Sequence, residues 1–150
     1  MENSRIEKAV NAFKTGATCS QAVFVTYANI FGMDEETAMK ISCPFGRGLG
    51  GMNYVCGTIS GMTMISGLYN GMSSVDNKEQ KKENFNTVKF LIKEFVEEFG
   101  SVRCSQLLGM EPGLPEGKKK RPCEEYIRFC ANLIEQYMVN NGRLNSPENV

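Results

Sequence analysis

The chain has 150 residues, the size of one ordinary domain, and its 41% hydrophobic and 23% charged residues exclude wholesale disorder and collagen-like repetition. Lys plus Arg and Asp plus Glu both number 17, so no excess positive charge is present to bind nucleic acid by counterion release. There is no histidine, which removes Ser-His-Asp and Cys-His catalysis, His-ligated zinc and haem attachment through Cys-x-x-Cys-His.

The apolar periodicity is helical nearly throughout, and no internal repeat is visible. A first helix is expected over residues 4–14, with Ile6, Val10 and Phe13 on one face and Gly16 past its end. A second runs over 19–31, capped by Thr18 with Gln21 three residues on, as in a capping box, and ended by Gly32. Asp34 opens a third over 35–42, which Pro44 stops. Residues 45–53, FGRGLGGMN, hold four glycines in nine positions and are expected to form a sharply turning loop. A fourth helix over 54–69 carries small residues at Gly57, Ser60, Gly61 and Gly67, which suit close packing of helix backbones. A long fifth helix starts at Asp76 and ends at Phe99, with an apolar stripe of Phe85, Val88, Leu91, Ile92, Phe95, Val96 and Phe99 before Gly100. A short helix after Ser101 ends at Leu108, a Pro/Gly/Lys loop fills 109–122, and a last helix covers 123–139. The expectation is an all-α, single-domain bundle of about six helices over residues 5–140, with a frayed tail at 141–150.

The first residues carry charges of both signs and no apolar run, which reads against a secretory signal and for a cytoplasmic, reducing setting. Residues 48–75 lack charge, but their Gly, Ser, Thr and Asn content argues against membrane insertion. Six cysteines in a reducing compartment point to redox or metal chemistry over a disulfide scaffold.

None of Cys19, Cys43, Cys56, Cys104, Cys123 and Cys130 forms a Cys-x-x-Cys pair. Four of them, Cys19, Cys56, Cys104 and Cys123, fall in the first turns of expected helices, where free amides and the helix dipole favour a thiolate. Arg103, and the run Lys118, Lys119, Lys120 and Arg121, are expected to push Cys104 and Cys123 the same way. Cys43 and Cys130 are expected to pack as small hydrophobes. The glycine loop fails the phosphate-loop template for want of Gly-Lys-Ser/Thr and a preceding strand. Gly50, Gly51, Gly57 and Gly61 are instead expected to bring backbone close to the cysteines, where loop amides could bond a thiolate or a bridging sulfide. Met52, Met62, Met64 and Met72 are expected mostly to fill gaps in the core.

The order of these motifs carries a resemblance. C-S-Q-A-V, then G-G-M-x-x-x-C-G-x-x-x-G, then S-x-x-C-x-x-L-L-G and a last helix opened by Cys123 resemble a family described as redox-active and named for its C…GCAxxG…C…C pattern, over about residues 5–140. The resemblance maps the family's cysteines onto Cys19, Cys56, Cys104 and Cys123 and leaves out Cys43 and Cys130. Taken as C-G-A-x-x-G, the pattern puts Thr58 in place of an alanine, a small departure that could crowd the helix contact. Relatives look like the domain of split-Soret cytochromes, which carry haem and an iron–sulfur cluster. Without histidine the haem role does not transfer, whereas a cluster role could.

Three functions follow as expectations. The first is thiol–disulfide or electron-transfer chemistry, with Cys56 in the active pair and a redox partner protein or small thiol as partner. That would make the chain a thiol–disulfide oxidoreductase. The second is an iron–sulfur electron carrier through the same four cysteines. The third is a structural zinc site held by those four cysteines in an interaction module. In each case the four helix-start cysteines should converge beside the glycine loop. A homodimer, even a cluster shared between two chains, is compatible with each.

Overall fold

The computed structural model describes residues 5–140; the expected start of the first helix at Ser4 and the frayed tail at 141–150 lie outside them. Seven helices form among these residues: α1 (Ile6–Lys14), α2 (Cys19–Ala28), α3 (Glu35–Ser42), α4 (Gly57–Asn70), α5 (Lys78–Phe99), α6 (Cys104–Leu107) and α7 (Cys123–Ile134). The fold is all-α, as expected, with one helix in each of the seven segments that the periodicity marks out. One antiparallel bridge, Val55 to Arg103, is the β pairing among the described residues.

Local chemistry sets the helix limits. The Thr18 hydroxyl accepts from the Gln21 amide (3.1 Å) while the Gln21 side chain accepts from the Thr18 amide (2.9 Å), the expected capping box. The Asp34 carboxylate likewise accepts from the Thr37 amide at the start of α3 (3.0 Å). Gly100 ends α5 with φ of 97°, a conformation open to glycine. Several boundaries differ from expectation, among them the starts of α4, at Gly57 and not at residue 54, and of α6, at Cys104. α2 tightens into a 3-10 turn at Asn29–Phe31. α5 starts later because Asn77, not Asp76, caps it through the Gln80 amide. The last helix closes in a π turn, Glu135–Val139, where the Glu135 carboxylate accepts from the Tyr27 hydroxyl (2.6 Å) and the Arg5 amide (2.7 Å).

α2 and α4 are the central pair and make the most extensive helix contact. Small residues permit it: a Cβ at Gly61 would sit 2.9 Å from the Ser20 carbonyl and 3.0 Å from the Val23 Cβ. Around them the core gathers Phe24, Tyr27, Ile59, Met62, Ile65, Leu91, Phe95 and Tyr126, all nearly inaccessible. Phe95, Phe99, Tyr126 and Phe129 pack edge to face or tilted where α5 meets α7. The α5 stripe is shorter than its sequence suggests: Leu91, Phe95 and Phe99 are buried, but Phe85 is 53% exposed. The first half of α5 is held to α4 by polar contacts instead, Asn84 donating to Asn70 (2.8 Å) and Asn70 to Thr87 (2.9 Å). Among the four methionines expected in the core, Met62 is buried and Met64 packs against it, while Met52 and Met72 are exposed. No described helix is long and apolar enough to cross a membrane.

Candidate functional site

Cys19 and Cys123 open their helices as expected, and Cys56 and Cys104 sit nearer their helix starts than the sequence indicates. Cys19, Cys104 and Cys123 are the first residues of α2, α6 and α7, and Cys56 is the residue capping α4. Ser101 is not the cap of α6; its hydroxyl accepts from the Arg103 amide (2.9 Å) and donates to Gln106 (2.5 Å), and Arg103 takes the cap position. Long-range pairing then joins two starts. The Cys56 amide donates to the Val102 carbonyl (2.8 Å), the Cys104 amide to the Tyr54 carbonyl (2.5 Å) and the Ser105 amide to the Asn53 carbonyl (3.1 Å). Cys56 and Cys104 are thereby set side by side although 48 positions apart in sequence (104 minus 56). Cys19 comes up against α4: a Cβ at Gly57 would overlap the Cys19 sulfur.

All four cysteines line one cavity of about 560 Å3, with Gly50, Gly51 and Gly57 also on its wall and Phe13, Leu107, Leu108 and Tyr126 as apolar lining. Gly61 does not line it; that glycine serves the contact with α2. Cys43 is a fifth thiol on the cavity, and it is exposed, contrary to the expected burial, because the 3-10 turn carrying it lies at the surface. Cys130 does pack as expected, fully inaccessible in the core behind Thr58. A second, wider hollow of about 700 Å3 over Phe99 and Phe129 holds no cysteine; its rim carries the pairs Arg121 with Glu125 and Arg128 with Glu7, together with Glu98.

The electrostatics differ from expectation. Burial pushes the Cys56 thiol up to about 12 and the Cys123 thiol up to about 11, and it raises Cys104 in the same direction. The nearby Cys19 adds to the rise at all three. Helix-start position therefore does not make thiolates of these three at neutral pH: loss of hydration outweighs the amides. Nor do the expected cations act. The Arg103 guanidinium donates to Ser105 and Glu111, and Arg121 donates to Glu125. The cation that lowers Cys104 and Cys123 is Arg47, from the glycine loop, which the sequence does not single out.

The loop amides are also spent differently. Those of Leu49, Gly50, Gly51, Met52, Asn53 and Tyr54 all donate to carbonyls between Pro44 and Leu49, so they do not face a sulfur. Side chains supply the polar contacts: the Thr58 hydroxyl lies 2.9 Å from the Cys56 sulfur, and the Cys104 thiol donates to Asn53 at 3.6 Å. Thr58 thus hydrogen-bonds a cysteine. The spacing of the sulfurs is open: among the described residues no three Cys, Asp or Glu side chains stand close enough to hold one metal ion.

An all-α domain that brings helix-start cysteines onto one apolar cavity is the class that fold and site define. The chain belongs to the family described as "Putative redox-active protein (C_GCAxxG_C_C)", whose model matches residues 17–137. Laid on Cys56 as named, Gly-Cys-Ala-x-x-Gly places Val55, Gly57 and Ser60 at its specified positions and leaves Thr58 at an unspecified one. No curated protein and no solved structure matches the chain.

Proposed function

We propose that the protein is a thiol–disulfide oxidoreductase of a reducing, cytoplasmic setting, with Cys19 attacking and Cys56 resolving. The observation that carries this is the grading of free thiols along one cavity: Cys43 exposed, Cys19 and Cys123 half-buried, Cys56 and Cys104 buried. An outer thiol can reach a partner's disulfide, and an inner one is protected until a mixed disulfide brings it into play. Cys19 is suited to attack because it is half-buried and lines the same cavity as Cys56, Cys104 and Cys123.

In the first step the Cys19 thiolate bonds to one sulfur of the partner's disulfide, whose S–S bond breaks and releases a thiolate. The Cys56 thiolate then attacks the Cys19 sulfur, releasing the second partner thiol and leaving a Cys19–Cys56 disulfide. Two electrons pass to the partner, and the Cys56 proton passes to the departing sulfur or to water. The raised Cys56 thiol makes this second step the slow one. Replacing Cys56 by Ser should trap a mixed disulfide on Cys19 with a small disulfide partner, read by peptide mapping. Trapping on another cysteine, or none, would remove this pair.

A second function is favoured by the number of thiols, since exchange needs two and the cavity gathers four at helix starts. Cys19, Cys56, Cys104 and Cys123 fit the all-thiolate ligation of an iron–sulfur cluster, which would supply one-electron transfer. Their open spacing suits bridging sulfides better than a zinc site, where four sulfurs must each come within about 2.3 Å of one ion. Protein purified without oxygen would then absorb between about 320 and 450 nm and bleach with dithionite. A featureless spectrum with no bound iron would leave exchange alone.

A further inference from the structure

Arg47 takes a left-handed backbone conformation, φ of 50°, that non-glycine residues adopt uncommonly and at a cost. The loop holds it there: the Asn53 amide donates to the Arg47 carbonyl (3.0 Å) and the Tyr54 amide to the Gly48 carbonyl (2.9 Å). A side chain at Gly48 would strike this return, its Cβ lying 2.6 Å from the Asn53 Cα. So positioned, Arg47 lines the cavity with the cysteines. Its guanidinium makes no ion pair or hydrogen bond among the described residues, whereas Arg103 and Arg121 are each bound to a glutamate. The same cavity offers Phe13, Leu107, Leu108 and Tyr126 as apolar wall, and its volume lies within the range of small-molecule sites.

We propose that Arg47 makes this cavity selective for anionic disulfides, so that the molecule exchanging with the cysteines carries a carboxylate or similar charge beside an apolar body. A guanidinium takes a carboxylate through two parallel hydrogen bonds, and the apolar wall takes the rest. Binding sets the ligand's S–S bond beside the thiols. A cavity thiolate bonds to one ligand sulfur, the ligand S–S bond breaks, and the other half leaves as a thiolate with the electron pair, the cysteine proton going to water. The proposal rests on thiol exchange at this cavity.

The test uses two probes on the reduced, chelator-treated full chain: dithiobis(nitrobenzoate), a dianionic aromatic disulfide, and dithiodipyridine, an uncharged one. Second-order rate constants are measured for each at the mapped cavity cysteines. Arg47→Gln should lower the anionic-to-neutral ratio of rate constants about tenfold, the scale of one charge contact near a protein surface. Arg47→Lys should restore part of it, and high salt should shrink the difference. An equal fall with both probes would show that Arg47 acts on the thiols and not on the ligand, and an unchanged ratio would likewise overturn the proposal. If the cavity cysteines of the unaltered chain react with neither probe, thiol exchange itself fails and takes the proposal with it.

Discussion

At the scale of single residues the cavity is governed by desolvation. The Cys56 thiol, raised to about 12 by burial, is protonated at neutral pH, and that fixes the sign of its pH dependence. A thiol whose folded value exceeds its unfolded one favours the fold below about pH 8.5, the ordinary thiol value, and that contribution is lost as pH rises toward about 12. Thermal denaturation of the reduced protein from pH 7 upward should show this loss, and Cys56→Ala should flatten it; parallel curves would mean that the thiol is not desolvated. Tyr126 is a second buried polar group on the cavity, donating to the Leu107 carbonyl (2.7 Å) and accepting from the Arg121 amide (2.9 Å). Tyr126→Phe removes both bonds and should cost about 1–3 kcal/mol in chemical denaturation. A neutral result would show that water replaces the hydroxyl.

At the scale of elements, helix starts organise the site. Thr18 caps α2 next to Cys19, and Thr18→Ala should cost about 1 kcal/mol in denaturant unfolding. Gly61 sets the separation of α2 and α4; Gly61→Ala should cost roughly 1–3 kcal/mol, since the added Cβ would come within 2.9 Å of the Ser20 carbonyl and 3.0 Å of Val23. Wild-type stability in that variant would mean that the helices can part without penalty. Much at this scale was legible. The Thr18–Gln21 box, the Asp34 cap and Gly100 are chemistry local to a few residues, and each ends or starts a helix as its sequence indicates. The α4 and α6 starts were less so, because a bridge between distant segments, Val55 with Arg103, decides where those helices begin. The apolar stripe of α5 misled at Phe85 for a related reason: periodicity shows which face is apolar, not how far along the helix a partner covers it.

At the scale of the whole molecule, the all-α architecture follows from helical periodicity and glycine punctuation, and the four cysteines were identifiable by their place after caps. What the sequence could not show is what closes the cavity. Arg47 and Cys43 reach it through the turns of the glycine loop and the 3-10 turn before it, and no local pattern marks them. Nor could it show that burial would outweigh helix-start activation, since the cavity is walled by residues such as Phe13, Leu107 and Tyr126, which arrive from three separate helices. The resulting site keeps outer and inner thiols apart in exposure yet together in space. Exchange at such a site should therefore be limited by the inner thiol. Release of the second partner thiol should quicken about tenfold per pH unit between pH 7 and 10, as the thiolate fraction grows, when followed by stopped flow. A rate flat across that range would place a low-value thiol in the resolving role.

The measurement that bears most directly on the central claim is a peptide-mapped disulfide analysis of the reduced, metal-free protein after equilibration with a small anionic disulfide. The account predicts one intramolecular bond, Cys19 to Cys56, with Cys130 still a thiol. A bond between any other two cysteines, or six thiols left intact under conditions that oxidise a small dithiol, would contradict it.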